Sequence, residues 1–288
     1  MKVAGVTFIR NAEKFAYPIR EAILSILPIC DQIIVAIGHS EDNTLKLIES
    51  LPSEKIKIIH TVWDDSLRTG GQVLALETNK ALDAVSDDFD WCFYIQADEA
   101  IHEKYLPIVK DAMRRELNNE KVEGLLFHYK HFWGSYDFVG NSRKWYRKEI
   151  RVIRNNKKIR SFKDAQGFRR DGNKLKVKQV DAFIYHYGWV RPPKKLQLKN
   201  LEANKLWHSD NWIEKNVPQG SDFDFSNIDS IEKFEGTHPK AMYELIHAIN
   251  WHFSPPPNQI NFKEKLSRWI EKYTNVRFGE YKNYKIIP

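Results

Sequence analysis

The sequence predicts an α/β protein: a mostly parallel sheet with helices on both faces, followed by a helical carboxy-terminal region. Three observations predict it. Short continuous apolar runs recur through the first hundred residues, segments of helical periodicity separate them, and each run ends in a polar loop. Strands buried on both faces need apolar residues on both faces, so the runs do not alternate.

Val3–Ile9 fits a central strand. Residues 15–27 carry Ile19, Ile23 and Ile26 at helical spacing, with Pro18 tolerable only near the first turn. Residues 32–37 read as a second strand, Asp42-Asn43-Thr44 can cap a helix running to Ser50, and residues 56–60 read as a third strand. A helix over 73–85 presents Leu74, Leu76, Ala81 and Leu82, and residues 91–96 supply the fourth strand. This βαβαβαβ order implies a parallel sheet whose ligands bind at the carboxyl ends of the strands. After a helix over 103–117, aromatic-rich strands at 124–132, 150–153 and 177–186 make the middle third α+β. Beyond Arg191-Pro192-Pro193, helical periodicity returns over 196–213, 241–251 and 262–273, interrupted at Ser254-Pro255-Pro256-Pro257. The expected division is a domain of residues 1–190 and a helical extension of residues 191–288.

At 288 residues, with 42% hydrophobic and 29% charged side chains, the composition excludes dominant disorder. No apolar run approaches the roughly 20 residues that span a bilayer. The first residues read as a buried strand rather than a secretory signal, so a cytoplasmic protein is expected, at most peripheral at the inner face of the membrane. Cys30 and Cys92 are expected as buried thiols. The net charge of +7 is uneven: residues 141–180 hold fifteen Lys and Arg against Glu149, Asp164 and Asp171, an excess of +12 that leaves −5 elsewhere. Such an excess suits an anionic partner (nucleotide phosphates, an acidic glycan, lipid headgroups or nucleic acid) or is a solvated basic face.

The segment Phe93-Tyr94-Ile95-Gln96-Ala97-Asp98-Glu99 is an apolar strand ending in carboxylates. A carboxylate at that edge can hold Mg²⁺ or Mn²⁺ against a diphosphate, or it can cap the following helix.

Four motifs now stand in order: Phe8-Ile9-Arg10-Asn11-Ala12-Glu13, Ser40-Glu41-Asp42-Asn43-Thr44, Thr78-Asn79-Lys80-Ala81-Leu82 and Gln96-Ala97-Asp98-Glu99. In order and spacing the chain resembles the inverting GT-A glycosyltransferases of the family-2 type, over about residues 1–100 and more loosely to 190. The resemblance implies a Rossmann-like nucleotide-diphospho-sugar transferase fold. It implies a nucleotide site built from Phe8, Arg10, Asn11, Glu13, Asp42, Asn79, Gln96 and Ala97, with Arg191 offsetting the diphosphate. It also implies a Mn²⁺ or Mg²⁺ ion on Asp98, with His186 as second ligand; the other reading of His186 is a histidine inside an aromatic cluster. Two departures from the pattern are Gly38, where the family has an acid, and Gln96, where it has Asp. Inversion needs a general base, and Asp164, the lone acid of a basic, aromatic stretch, is the candidate, with Glu99 and Asp137 as rivals and a surface ion pair as its other role. The aromatics between Tyr129 and Tyr146 are either core or a stacking platform for an acceptor sugar.

The expected activity is metal-assisted, inverting transfer of a sugar from a nucleotide-diphosphate sugar, a UDP-sugar foremost, to a carbohydrate or lipid-linked acceptor. Residues 8–13 contain no glycine, which disfavours a nucleotidyltransferase phosphate loop. The rival from another class is a non-catalytic nucleotide- or RNA-binding protein, a glycosyltransferase degenerate through Gly38 and Gln96. No RNA-binding signature is present, so no nucleic-acid partner is expected.

Overall fold

Four strands lie side by side as the apolar runs predict. In the computed structural model, which describes residues 1–260, 262–274, 277 and 279–288, these are β1 (Val3–Ile9), β2 (Gln32–Gly38), β3 (Ile56–Thr61) and β4 (Trp91–Tyr94). They are parallel, in the order β3-β2-β1-β4. Helices α1 (Ile19–Ile26), α2 (Thr44–Glu49) and α3 (Gln72–Asp83) connect them. On one face Ile33, Val35 and Ile37 pack with Ile19, Ile23 and Ile26 of α1; on the other, Ile34 and Ala36 share a cluster with Ala81 and Leu82 of α3. Each fully buried Ile or Leu contributes about 1.5–3 kcal/mol, and the two-sided demand explains the unbroken apolar runs. Helix α1 starts later than its periodicity suggests. Pro18 biases Tyr17 away from helix, and residues 11–17 instead form turns closed by bonds such as Tyr17 N–H to the Ala12 carbonyl.

Beyond β4 the sheet becomes mixed. β5 (Glu99–Ile101) and α4 (Leu106–Arg115) lead to β6 (Gly124–Trp133), β7 (Phe138–Gly140) and β8 (Lys148–Arg154). β8 inserts antiparallel between β4 and β6. A small antiparallel sheet of β9 (Ile159–Phe162), β10 (Gly167–Arg170) and β11 (Asn173–Lys174) follows, then the long β12 (Lys176–Trp189), parallel to β6 and antiparallel to β5. The pairing of β12 with β5 sets His186 opposite Glu99.

The last third is not purely helical. It contains α5 (Pro193–Asn204), α6 (Asp210–Asn216), β13 (Ile231–Lys233), α7 (Tyr243–His247), α8 (Phe262–Thr274) and β14 (Lys285–Ile286). β13 pairs with β7 and β14 with β12, so this region is tied into the main sheet. The single helix expected over 196–213 is two, because Ser209 takes the extended conformation of an N-cap and α6 starts anew. The helix expected over 241–251 shrinks to a short 3-10 turn and α7. Cys30 and Cys92 are free and buried. Among the described residues no helix is long and apolar enough to cross a membrane.

Candidate active site

The chain leaves β1 toward α1 and β2 on one side, while β4 flanks β1 on the other, so strand order reverses between β1 and β4. Open α/β sheets bind ligands at such a point. A cavity of about 500 Å³ lies there, lined among others by Phe8, Arg10, Asn11, Trp63, Gln96, Ala97, Asp98, Asp164, His186 and Lys199.

One wall comes from the loops after β1 and β2. Asn11 has a φ of 55°, a left-handed conformation that Asn tolerates better than most residues. Its N–H donates to Ser40 Oγ at 3.0 Å, and its side-chain oxygen accepts from Glu41 N–H at 2.8 Å. The Arg10 guanidinium lies 4.4 Å from the centre of the Trp63 ring and pairs with Asp65 at 2.7 Å. Phe8 and Trp63 have ring centroids 5.8 Å apart. A Cβ on Gly38 would come within 2.4 Å of Trp63 Nε1, so the glycine that departs from the family pattern makes room for this tryptophan. The indole N–H has no hydrogen-bond partner among the described residues.

Three residues expected to bind the nucleotide instead hold the loops and do not line the cavity. Asp42 accepts from Lys14 N–H at 2.7 Å and from the backbone and hydroxyl of Thr44, whose Oγ1 accepts from Ala12 N–H at 2.7 Å. Partial burial acts to raise the Asp42 pKa, but these hydrogen bonds prevail and it lies below the ordinary value. Glu13 accepts from the Asn43 side chain at 3.1 Å. Asn79 brackets the Ser161 backbone at 2.8 and 3.4 Å, fixing β9 and the turn that carries Asp164.

The acidic motif divides its labour. Glu99 is fully buried, paired with Arg151 at 2.8 and 2.9 Å, and accepts from Tyr129 Oη at 2.7 Å. It faces away from the cavity, which removes it as a rival base. Asp137, the other rival, bonds Ser135 and does not line the cavity. Gln96 donates from its amide to Tyr94 Oη and the Ala165 carbonyl, both at 3.3 Å, and so joins the β4 edge to the turn beside Asp164. Asp98 Oδ1 lies 3.8 Å from His186 Nε2, while Oδ2 meets Lys199 Nζ at 3.3 Å and Arg191 at 3.4 Å. Burial acts to raise the Asp98 pKa, but the surrounding charges, Lys199 first, prevail and hold the carboxyl far below the ordinary range. Burial, reinforced by Arg191 and opposed by Asp98, lowers the Lys199 pKa to about 8.

His186 is oriented by a relay. His131 Nε2 lies 2.8 Å from the Tyr146 carbonyl, an atom that can only accept, so this nitrogen carries the proton. Burial holds the His131 pKa well below its usual value, and the neutral ring offers its Nδ1 lone pair to His186 Nδ1–H at 3.1 Å. Burial also lowers the His186 pKa against the pull of Asp98, and with Nδ1 donating to His131 a neutral His186 turns its Nε2 lone pair toward Asp98 Oδ1. Gly188 permits this approach: a Cβ there would lie 2.5 Å from His186 Nε2 and 3.1 Å from Asp98 Oδ2.

A carboxylate oxygen and a neutral imidazole nitrogen 3.8 Å apart are donors that would suit a divalent cation, whose remaining ligands would have to come from outside the protein. Among the described residues no group of three or more His, Cys, Asp or Glu side chains converges for a fully protein-held ion.

Asp164 lines the same cavity, on the turn between β9 and β10, where Lys163 and Ala165 have φ of 54° and 60°. It packs on Gly71, where a Cβ would approach the Asp164 Cβ to 2.9 Å. Arg191 is 1% exposed and outside the cavity lining; it donates to the Phe15 carbonyl at 2.8 Å and braces Asp98 from behind.

Sequence reasoning missed Trp63, Tyr17, Trp189 and Lys199. No sequence signal marks Lys199: Leu196, Lys199, Asn200 and Ala203 recur at helical spacing on α5 and line the cavity, but that face of mixed polar and apolar residues is not set apart from the rest of the helix. The aromatics from Tyr129 to Tyr146 do not line it, and Tyr129, Phe132, Trp133 and Tyr136 are core. Much of the charge in residues 141–180 is matched internally: Arg147 by Glu271 and Glu280, Arg151 by Glu99, Arg160 by Asp83, Arg170 by Glu123, and Arg154 by backbone carbonyls. That pairing argues against a bare basic face for RNA or membrane.

No protein-family model matches the chain, and no curated protein is significantly similar to it. Among solved structures, S. aureus TarS residues 1–349 aligns at 17% identity over 73% of this chain and 66% of that one, with a TM-score of 0.40. The same fragment in complex with UDP gives 17% identity, 73% and 67% coverage, and 0.41. Glucosyl-3-phosphoglycerate synthase from Mycobacterium tuberculosis, in complex with Mn²⁺, UDP-glucose and phosphoglyceric acid, aligns at 20% identity over 46% of this chain and 44% of that one, with 0.31. This chain thus spans about two thirds of the TarS fragment and 46% of a longer TarS chain. Likeness this slight says nothing of the site, whose chemistry rests on this chain's own residues.

Proposed function

We propose that the protein is a glycosyltransferase that moves a sugar from a nucleotide-diphosphate sugar, a UDP-sugar foremost, to a carbohydrate or lipid-linked acceptor with inversion. The observation that carries this reading is the meeting, in one cavity at the strand-order reversal, of an aromatic and arginine wall, an Asp98–His186 pair and a separate carboxylate, Asp164.

In this reading Phe8, Arg10 and Trp63 receive the nucleobase, which stacks on their flat faces. Asp98 and His186 would hold a Mn²⁺ or Mg²⁺ ion, which would offset the charge gathering on the departing nucleoside diphosphate. His131 keeps the His186 lone pair turned to the site, and Arg191 and Lys199 keep Asp98 ionised. Asp164 takes the acceptor hydroxyl's proton as that oxygen bonds to the anomeric carbon from the face opposite the phosphate. The carbon–phosphate oxygen bond breaks, the electron pair leaves with the diphosphate, and the proton passes from Asp164 to water.

The test is release of nucleoside diphosphate from a panel of UDP-, GDP-, CDP- and ADP-sugars with Mn²⁺ present, with the anomeric configuration of any product read by NMR. Release from one donor class with an inverted product supports the reading. A retained configuration removes Asp164 from the role of base, and tight nucleotide binding without release makes the chain a nucleotide-binding protein.

A further inference from the structure

Two cations share Asp98, and they are not equivalent. Arg191 is anchored by the Phe15 carbonyl and the Tyr17 ring 4.5 Å away, and it lies outside the cavity lining. Lys199 reaches in from α5, beyond the segment that resembles a nucleotide-sugar enzyme, and lines the cavity. Its ammonium group donates to Asp98 Oδ2 at 3.3 Å and to the Gly188 carbonyl at 3.0 Å, with the rings of Tyr17 and Trp189 at 5.5 and 5.6 Å. A lysine has three donors on a flexible stem, so it can exchange one oxygen partner for another, whereas the anchored Arg191 cannot.

We propose that Lys199 is the resident counter-ion of Asp98, which yields that carboxylate to the divalent cation and takes hold of the donor's diphosphate in its place. The proposal rests on the nucleotide-sugar reading above. A divalent cation entering alone meets one carboxylate already shared by two positive groups. A diphosphate brings the negative charge that makes both the ion and Lys199 favourable, so metal and nucleotide reinforce each other's binding. The helix that follows the sheet is then part of the donor site and not an accessory.

Calorimetric titrations of Mn²⁺ alone, of UDP with Mn²⁺ and of UMP with Mn²⁺ into wild type, Lys199→Met and Lys199→Arg test this. In Lys199→Met, Mn²⁺ alone should bind tighter and UDP weaker, each by about tenfold, with UMP less affected and Lys199→Arg close to wild type. Opposite signs for ion and diphosphate are the signature, because a merely structural lysine would weaken both. Weaker Mn²⁺ binding in Lys199→Met, or unchanged UDP affinity, overturns the proposal. Should that variant not fold, wild type decides: Mn²⁺ alone must bind at least about tenfold more weakly than with UDP present, and equal affinity overturns the proposal. If wild type binds neither UDP nor UMP, the uridine-donor reading fails, while the Mn²⁺-alone titrations still decide whether Lys199 opposes the ion.

Discussion

The two walls of the cavity are built in different ways. The wall from β1 and β2 is a lattice of short local bonds, Asn11 to Ser40 and Glu41, Thr44 to Ala12, Asp42 to Lys14, that fixes loops so that Phe8, Arg10 and Trp63 can present flat faces. The wall from α5 comes from a single helix rather than from interlocked loops. It delivers one mostly buried cation, Lys199, to a carboxylate about a hundred residues earlier in the chain. The difference teaches that motif residues can shape a site without touching its contents, while a residue that faces the contents can come from a segment with no motif.

Substitutions separate the two kinds of residue. The largest effect is expected from Asp164→Asn, which keeps shape and removes the proposed base: turnover should fall by about 10²–10⁴ with nucleotide affinity nearly intact. Loss of affinity in the same proportion would make Asp164 part of the loop lattice instead. Gly38→Ala comes next, since the added Cβ must displace Trp63; nucleotide affinity should drop by roughly tenfold while the melting temperature changes little. Thr44→Val should show the reverse signature. It strands Ala12 N–H and costs about 1–2 kcal/mol of stability, with affinity falling only as the loop loosens. If both variants lowered affinity and stability together, the distinction between walls and scaffolding would collapse.

The smallest effect on the site lies behind both walls. Burial, opposed by Arg151 and a hydrogen bond from Asn283, pushes the Glu149 carboxyl up to about 8, and its Oε2 has no hydrogen-bond partner among the described residues. The folded protein thus keeps this proton where the unfolded chain has lost it. Glu149 contributes fully below the ordinary value of 4.5, and that contribution fades as pH rises through about 8. Glu149→Gln should therefore gain on wild type in melting temperature between pH 5 and pH 9. A constant difference across that range would contradict a buried, protonated Glu149.

Much of this was legible in the sequence where the physics is local. The unbroken runs gave β1 to β4, and the carboxylates after β4 pointed to Asp98. His186 was reachable because it lies at the end of a predicted strand and is followed two residues later by a glycine, where backbone can approach a ligand. Asp42, Glu13 and Asn79 were assigned to the ligand because their spacing is visible, whereas their hydrogen bonds to neighbouring loops are not. Lys199 and Trp63 were illegible for the opposite reason. Lys199 depends on how α5 lies across the sheet, and Trp63 on the empty space above Gly38, neither of which a one-dimensional pattern carries. β13 and β14 are three and two residues long, too short to leave a periodic signal.

The most direct measurement is the melting temperature of wild type and Asp98→Ala against UDP, GDP, CDP and ADP, with and without Mn²⁺, because a ligand that binds only the folded state must raise it. The account predicts a rise for one nucleotide that grows with Mn²⁺ and vanishes in Asp98→Ala. No rise with any nucleotide, or a rise of equal size in Asp98→Ala, would contradict it.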